Sequence, residues 1–190
     1  MLDTLITSRT RIKLLLKFFL NANSMSYLRN LETEFGESTN AIRMELNRFE
    51  SAGLLKSTSK GNKKYYQANK SHPLFPDINN IVMKYVGLDI VIRNVVNKLG
   101  ELEQVYLCGE FAKGLDCNII DLIFVGDRIN RDYLLRLVDK VEKLIKRRIR
   151  YIVYSNKEFD NYLKTVKLEE ILMLWKEDRA GGRSGNEVMR

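Results

Sequence analysis

The chain has 190 residues, 45% hydrophobic and 29% charged, enough for one large or two small domains and too apolar for a globally disordered chain. No apolar run reaches the ~18–20 residues of a membrane helix, the start lacks a basic region ahead of an apolar one, and Cys108 and Cys117 fit neither a metal-ligand spacing nor a disulfide framework. A reduced, cytoplasmic protein without membrane segment, metal or other cofactor is expected.

The formal net charge of +8 is unevenly placed. Residues 1–72 carry 12 Lys and Arg against 6 Asp and Glu, whereas residues 100–178 carry 14 against 15. A basic N-terminal third beside a nearly neutral remainder points to a nucleic-acid-binding module joined to a second domain.

Ser8 is a good helix cap, and Ile12, Leu15, Leu16, Phe19 and Leu20 recur at helical spacing. Ser26 is placed to cap a short second helix carrying Tyr27, Leu28, Leu31 and Phe35, which Gly36 ends. A third helix from about Ser38 sets Ile42, Leu46 and Phe49 on one face and stops at Ala52-Gly53. The period then changes to two, with strands over 54–59 and 64–68 around the turn Lys60-Gly61-Asn62-Lys63.

On the third helix the apolar stripe leaves Thr39, Asn40, Arg43, Asn47 and Arg48 towards solvent. These are side chains that bond base edges: Arg to guanine, Asn to adenine, Thr against the thymine methyl. Lys60, Asn62, Lys63 and Lys64 at the hairpin tip suit phosphate or minor-groove contact. The succession of helices followed by a basic hairpin resembles the winged helix-turn-helix of regulators similar to the ArsR and MarR families. Residues 40–55, with their Gly53-Leu54-Leu55 ending, carry the resemblance. It implies a DNA-binding domain over 1–72 that grips double-stranded DNA as a homodimer.

Pro73 and Pro76, the two prolines of the chain, mark a boundary. Connecting helices over 73–100 follow, with stripes Ile78, Ile81, Val82, Tyr85 and Ile90, Val91, Val95, Leu99 that could join domains or build a dimer seam. Strands then alternate with helices: strand 104–108, helix 110–113, strand 119–125, helix 131–147, strand 150–154, helix 157–164 and a closing apolar run 171–175. That alternation reads as a layered α/β domain over 101–178. The tail 179–190 reads as disordered.

Gly109-Glu110-Phe111-Ala112-Lys113-Gly114, with Ile119-Ile120-Asp121 after it, resembles the signature of the minimal nucleotidyltransferases. In that family a Gly-Ser pair opens a helix and an Asp-x-Asp pair on the next strand holds metal ions. Here Glu110 stands for the Ser and Ile119 for the first Asp, and the strand that supplies a third carboxylate reads Arg150-Tyr151. The resemblance therefore implies a degenerate nucleotide site of Gly109, Glu110, Lys113 and Asp121 with no catalytic residue. The expected protein is an α+β, two-domain, sequence-specific transcriptional regulator. Its inactive nucleotidyltransferase-like domain would serve dimerisation, partner docking or sensing of a small ligand. The alternatives are an active, antitoxin-like nucleotidyltransferase and a winged helix that docks on protein.

Overall fold

The computed structural model describes residues 2–99, 101–166 and 170–177, so the expectation of a disordered tail lies outside the described residues. Internal contacts divide the chain into two compact units. One is the chain up to Val86 with Lys113–Asp116; the other is Gly87–Ala112 with the chain from Cys117 onward. The division falls inside the stretch 73–100, whose first helix belongs to the first unit and whose second belongs to the second unit.

The first unit opens with helices Leu2–Leu5 (α1) and Arg9–Leu15 (α2); the Ser8 hydroxyl caps α2 by accepting from the Arg11 N–H at 3.2 Å. A single α-helix to residue 20 was the expectation, but Leu16–Leu20 form a π-helical turn. All five of its residues are buried, and Phe19 meets Phe49 edge-on at 6.5 Å and Phe75 at 5.7 Å between ring centroids. The wider turn leaves the Phe19 carbonyl to the Asn79 side chain, which donates to it at 2.6 Å in the interior.

That bond explains a second departure. In Phe75–Val86 (α5) the inward stripe is Asn79, Val82, Met83 and Val86, while Ile81 is half exposed, so the apolar stripe expected through Ile78, Ile81, Val82 and Tyr85 is turned by about one residue. Apolar periodicity cannot register a buried asparagine that answers a carbonyl elsewhere.

Ser26 and Tyr27, expected to begin a helix, form a short strand instead, Ser26–Tyr27 (β1). Ser26 lies opposite Tyr66 and Tyr27 opposite Tyr65, where the rings pack edge to face at 5.3 Å. This cross-strand aromatic pair outweighs the local capping preference of serine. Helix Leu28–Phe35 (α3) follows and closes on Gly36 in the left-handed region; Thr39–Ser51 (α4) is capped by Ser38. Strands Leu55–Lys60 (β2) and Lys63–Ala68 (β3) pair antiparallel with Lys60 opposite Lys63, leaving Gly61 (φ +57°) and Asn62 as the tip. The sheet order is β1-β3-β2.

The second unit contains Leu88–Asn94 (α6), Gln104–Cys108 (β4), Gly109–Ala112 (α7), Ile119–Val125 (β5), Arg131–Ile145 (α8), Arg148–Tyr154 (β6), Asn156–Leu163 (α9) and Leu172–Lys176 (β7). Its sheet runs β6-β5-β4-β7, with β4 antiparallel to both neighbours and β5 parallel to β6. A parallel pair needs a long crossover, and α8 supplies it, burying Leu134, Leu137, Val138 and Val141. Tyr106, Ile123, Val125, Phe159 and Ile171 form a cluster of the core. Both units are α+β. Among the described residues no helix is long and apolar enough to cross a membrane.

Asn79→Ala removes the donor from a buried carbonyl and is expected to lower unfolding free energy by about 1–3 kcal/mol. Ile81→Ala on the same helix is expected to stay within about 0.5 kcal/mol; chemical denaturation of both variants checks the pair.

Candidate functional site

Helix α4 buries Ile42, Leu46 and Phe49, and with them a carboxylate, Glu45. Glu45 accepts from Arg11 Nε at 2.9 Å and Nη2 at 3.1 Å, from the Ser8 hydroxyl at 3.2 Å and from Arg48 Nη1 at 3.1 Å. Burial opposes its charge, but the bonds from Arg11 and Ser8 with the charges of Arg11 and Arg48 outweigh it and hold Glu45 below the ordinary carboxylate range. The pair ties α4 to α2 and sets the rotation of α4 about its own axis. Asn40, Arg43, Met44 and Asn47 are turned outward as a result.

The outward face borders a groove of about 880 Å³. Thr39, Arg43 and Asn47 line it from α4, Asn62, Lys63, Lys64 and Tyr66 from the hairpin, and Tyr27, Arg29 and Glu32 from β1 and α3. Six of the nine residues expected to contact DNA thus meet in one place. Asn40, Arg48 and Lys60 lie outside its lining; Asn40 makes a weak contact to Met44 Sδ, Arg48 is held by Glu45, and Lys60 lies over the Tyr65 ring. Tyr27, Arg29 and Glu32 were not legible, because strand pairing at Ser26 brings them to the groove and the apolar pattern reads that segment as the start of a helix.

The cations of this unit fall into two groups. Arg11 and Arg48 pair with Glu45, Lys13 with Glu37, Lys17 with Glu34, and Lys64 with Glu50 at 2.7 Å. Hydrogen bonds from Lys64 and Ser57 hold Glu50 below its ordinary range, and Glu50 in turn raises Lys64. By contrast Arg9, Arg29, Arg43, Lys56, Lys60, Lys63, Lys70 and Lys84 have no carboxylate partner among the described residues, and of these Arg29, Arg43 and Lys63 line the groove. Lys63 Nζ is held 4.4 Å from the centre of the Tyr27 ring, a contact that orients the ammonium without neutralising it. The groove therefore holds three uncompensated cations beside Asn47 and Asn62, whose side-chain amides have no partner among the described residues.

The second stretch singled out by sequence is built differently. Gly109 has φ +68°, and a Cβ there would come within 2.3 Å of the Asp121 carboxylate. Asp121 lies across from Arg150 in the β5–β6 register and accepts from its Nε. Ile119 is exposed, as are Glu110 on α7 and Lys113 beyond it. A divalent metal needs clustered anionic ligands, and here an isoleucine and an arginine flank the one carboxylate. No group of three or more His, Cys, Asp or Glu that could hold a metal occurs among the described residues. These residues do not fit the metal ions that the nucleotidyltransferase resemblance implies. Burial and the neighbouring Asp121 push the Cys108 thiol up to about 11, with Arg150 opposing, so it stays protonated at neutral pH. At the start of β6, Arg148 pairs with Glu142 at 3.4 Å, and Arg147 just before it donates to the Cys117 carbonyl.

No family model matches the chain, and no curated protein does. Among solved structures it is similar to one described as a "putative nucleotidyltransferase from Sulfolobus solfataricus", 24% identical, over 54% of this chain and 88% of that one, with a TM-score of 0.36. A likeness that slight carries no argument about activity.

Glu45→Gln is expected to cost about 1–3 kcal/mol at neutral pH. Because the folded-state pKa lies below the unfolded one, the contribution of the pair is complete above the ordinary carboxylate range and disappears as pH falls through the folded value. The stability gap between wild type and variant should therefore close on acidification, as denaturation at a series of pH values would reveal. Gly109→Ala forces a left-handed alanine against Asp121 and is expected to cost about 1–3 kcal/mol, readable by calorimetry.

Proposed function

We propose that the first unit is a winged helix-turn-helix that binds double-stranded DNA, and that the protein is a cytoplasmic, homodimeric transcriptional regulator. The observation that carries this reading is the groove: donors suited to base edges on α4 (Thr39, Arg43, Asn47) and cations suited to phosphate on the hairpin share one surface. Arg29, Arg43 and Lys63 within it have no carboxylate partner among the described residues, and such charge is available to a polyanion.

In the same reading the second unit is a nucleotidyltransferase-like domain without transferase activity, kept for dimerisation, partner docking or ligand sensing. Arg150 supplies on Asp121 the positive charge that a metal would otherwise supply, and its guanidinium stands where a ligand carboxylate would be needed. Metal-dependent incorporation of label from a nucleoside triphosphate, lost in Asp121→Asn, would overturn this part.

DNA affinity is expected to fall steeply with salt. Lys63→Ala should reduce the slope of log K against log salt by about one. Lys64→Ala, which removes a lysine already paired with Glu50, should change the slope by less than half as much. Fluorescence anisotropy across a salt series measures all three. Equal slopes for wild type and Lys63→Ala would count against the groove as the DNA surface.

A further inference from the structure

We propose that Glu32 is a base-reading residue that selects cytosine, an inference that rests on the duplex-DNA reading of the groove. Glu32 lies in the last turn of α3 and is the one carboxylate among the residues lining the groove. Elsewhere in the unit Glu34, Glu37, Glu45 and Glu50 are each ion-paired. Glu32 is half-buried as a residue, and its carboxylate has no hydrogen-bond or ion-pair partner among the described residues. Arg29, one turn earlier on α3, lines the groove as well without pairing to it.

An unpaired carboxylate in a cationic groove narrows what can enter. It repels phosphate, so the DNA backbone cannot be its partner. It only accepts hydrogen bonds, so its partner must be a donor. In the major groove the base-edge donors are the amino groups of cytosine and adenine; guanine and thymine offer acceptors. The adenine amino group sits beside N7, an acceptor that would face the second carboxylate oxygen, whereas the cytosine amino group is flanked by a C–H. Glu32 thus favours cytosine by attraction and rejects guanine and thymine by repulsion, the combination that gives specificity.

The test uses the full chain. Duplexes are selected from a random pool, and each cytosine of the enriched half-site is replaced in turn by a pyrimidinone nucleotide lacking the 4-amino group. For wild type, one position per half-site should lose roughly tenfold or more in affinity on replacement. Glu32→Ala, whose side chain has no acceptor, should bind the two duplexes within about twofold of each other. It should also bind a non-selected duplex more tightly than wild type, since a like charge is gone. The proposal is overturned if wild type is indifferent at every cytosine, a result that needs no variant to fold, or if Glu32→Ala keeps the tenfold penalty. Those outcomes leave the duplex reading standing. Failure of wild type to enrich any duplex overturns both.

Discussion

One buried carboxylate decides which face of helix α4 the solvent sees. Glu45 sits on the same side as Ile42, Leu46 and Phe49, and a carboxylate leaves water only where its charge is answered. Arg11 from α2 and Arg48 from α4 itself answer it, with Ser8 completing the set. A purely apolar stripe tolerates some rotation of a helix against its neighbours; a bidentate arginine–carboxylate pair does not. Arg43 and Asn47 consequently point towards the hairpin and the start of α3, and the groove exists because that rotation is held. The sheet β1-β3-β2 fixes the other wall, since Tyr27 pairs with Tyr65 and carries Lys63 on its ring.

Much of this was legible in the sequence, for a physical reason: the elements with a strong period have long, uniform stripes. The helix through Ile42, Leu46 and Phe49, its serine cap, the hairpin around Gly61 and the strand–helix alternation beyond residue 100 all follow from apolar spacing and turn residues. The misreadings occur where a polar group does work that spacing cannot express. Asn79 is buried because a π turn releases the Phe19 carbonyl sixty residues earlier. Ser26 is in a strand because of an aromatic pair across the sheet. Glu45 looks like any charged residue on an exposed face until Arg11 is brought to it. The groove residues Tyr27, Arg29 and Glu32 were missed with the strand that places them. The sorting of lysines and arginines into paired and unpaired sets needs three-dimensional proximity, which net charge conceals.

In the second unit a tight glycine turn and an ion pair close around one carboxylate. Gly109 keeps a left-handed backbone closely packed on Asp121, and β5 and β6 still present their residues side by side. The charge arrangement is inverted relative to a metal site, with a guanidinium satisfying the carboxylate directly. An internal ion pair of this kind is stable without any ligand, and Cys108 beside it remains a neutral thiol. The sequence shows Ile119 and Arg150-Tyr151 where the nucleotidyltransferase resemblance would place carboxylates; that Arg150 pairs with Asp121 is visible only in the strand register.

On the proposed reading, the groove between α3, α4 and the hairpin is the surface that meets DNA. Its most direct test is a two-dimensional NMR titration of the isotopically labelled full chain with a selected duplex near physiological salt. Perturbations gathered on the backbone amides of Arg43, Asn47, Asn62 and Lys63 and the side-chain amides of the two asparagines, with Asp121 and Arg150 unmoved, are expected. Shifts concentrated on the β5–β6 strands around Asp121, or none in the groove at saturating DNA, would contradict that reading.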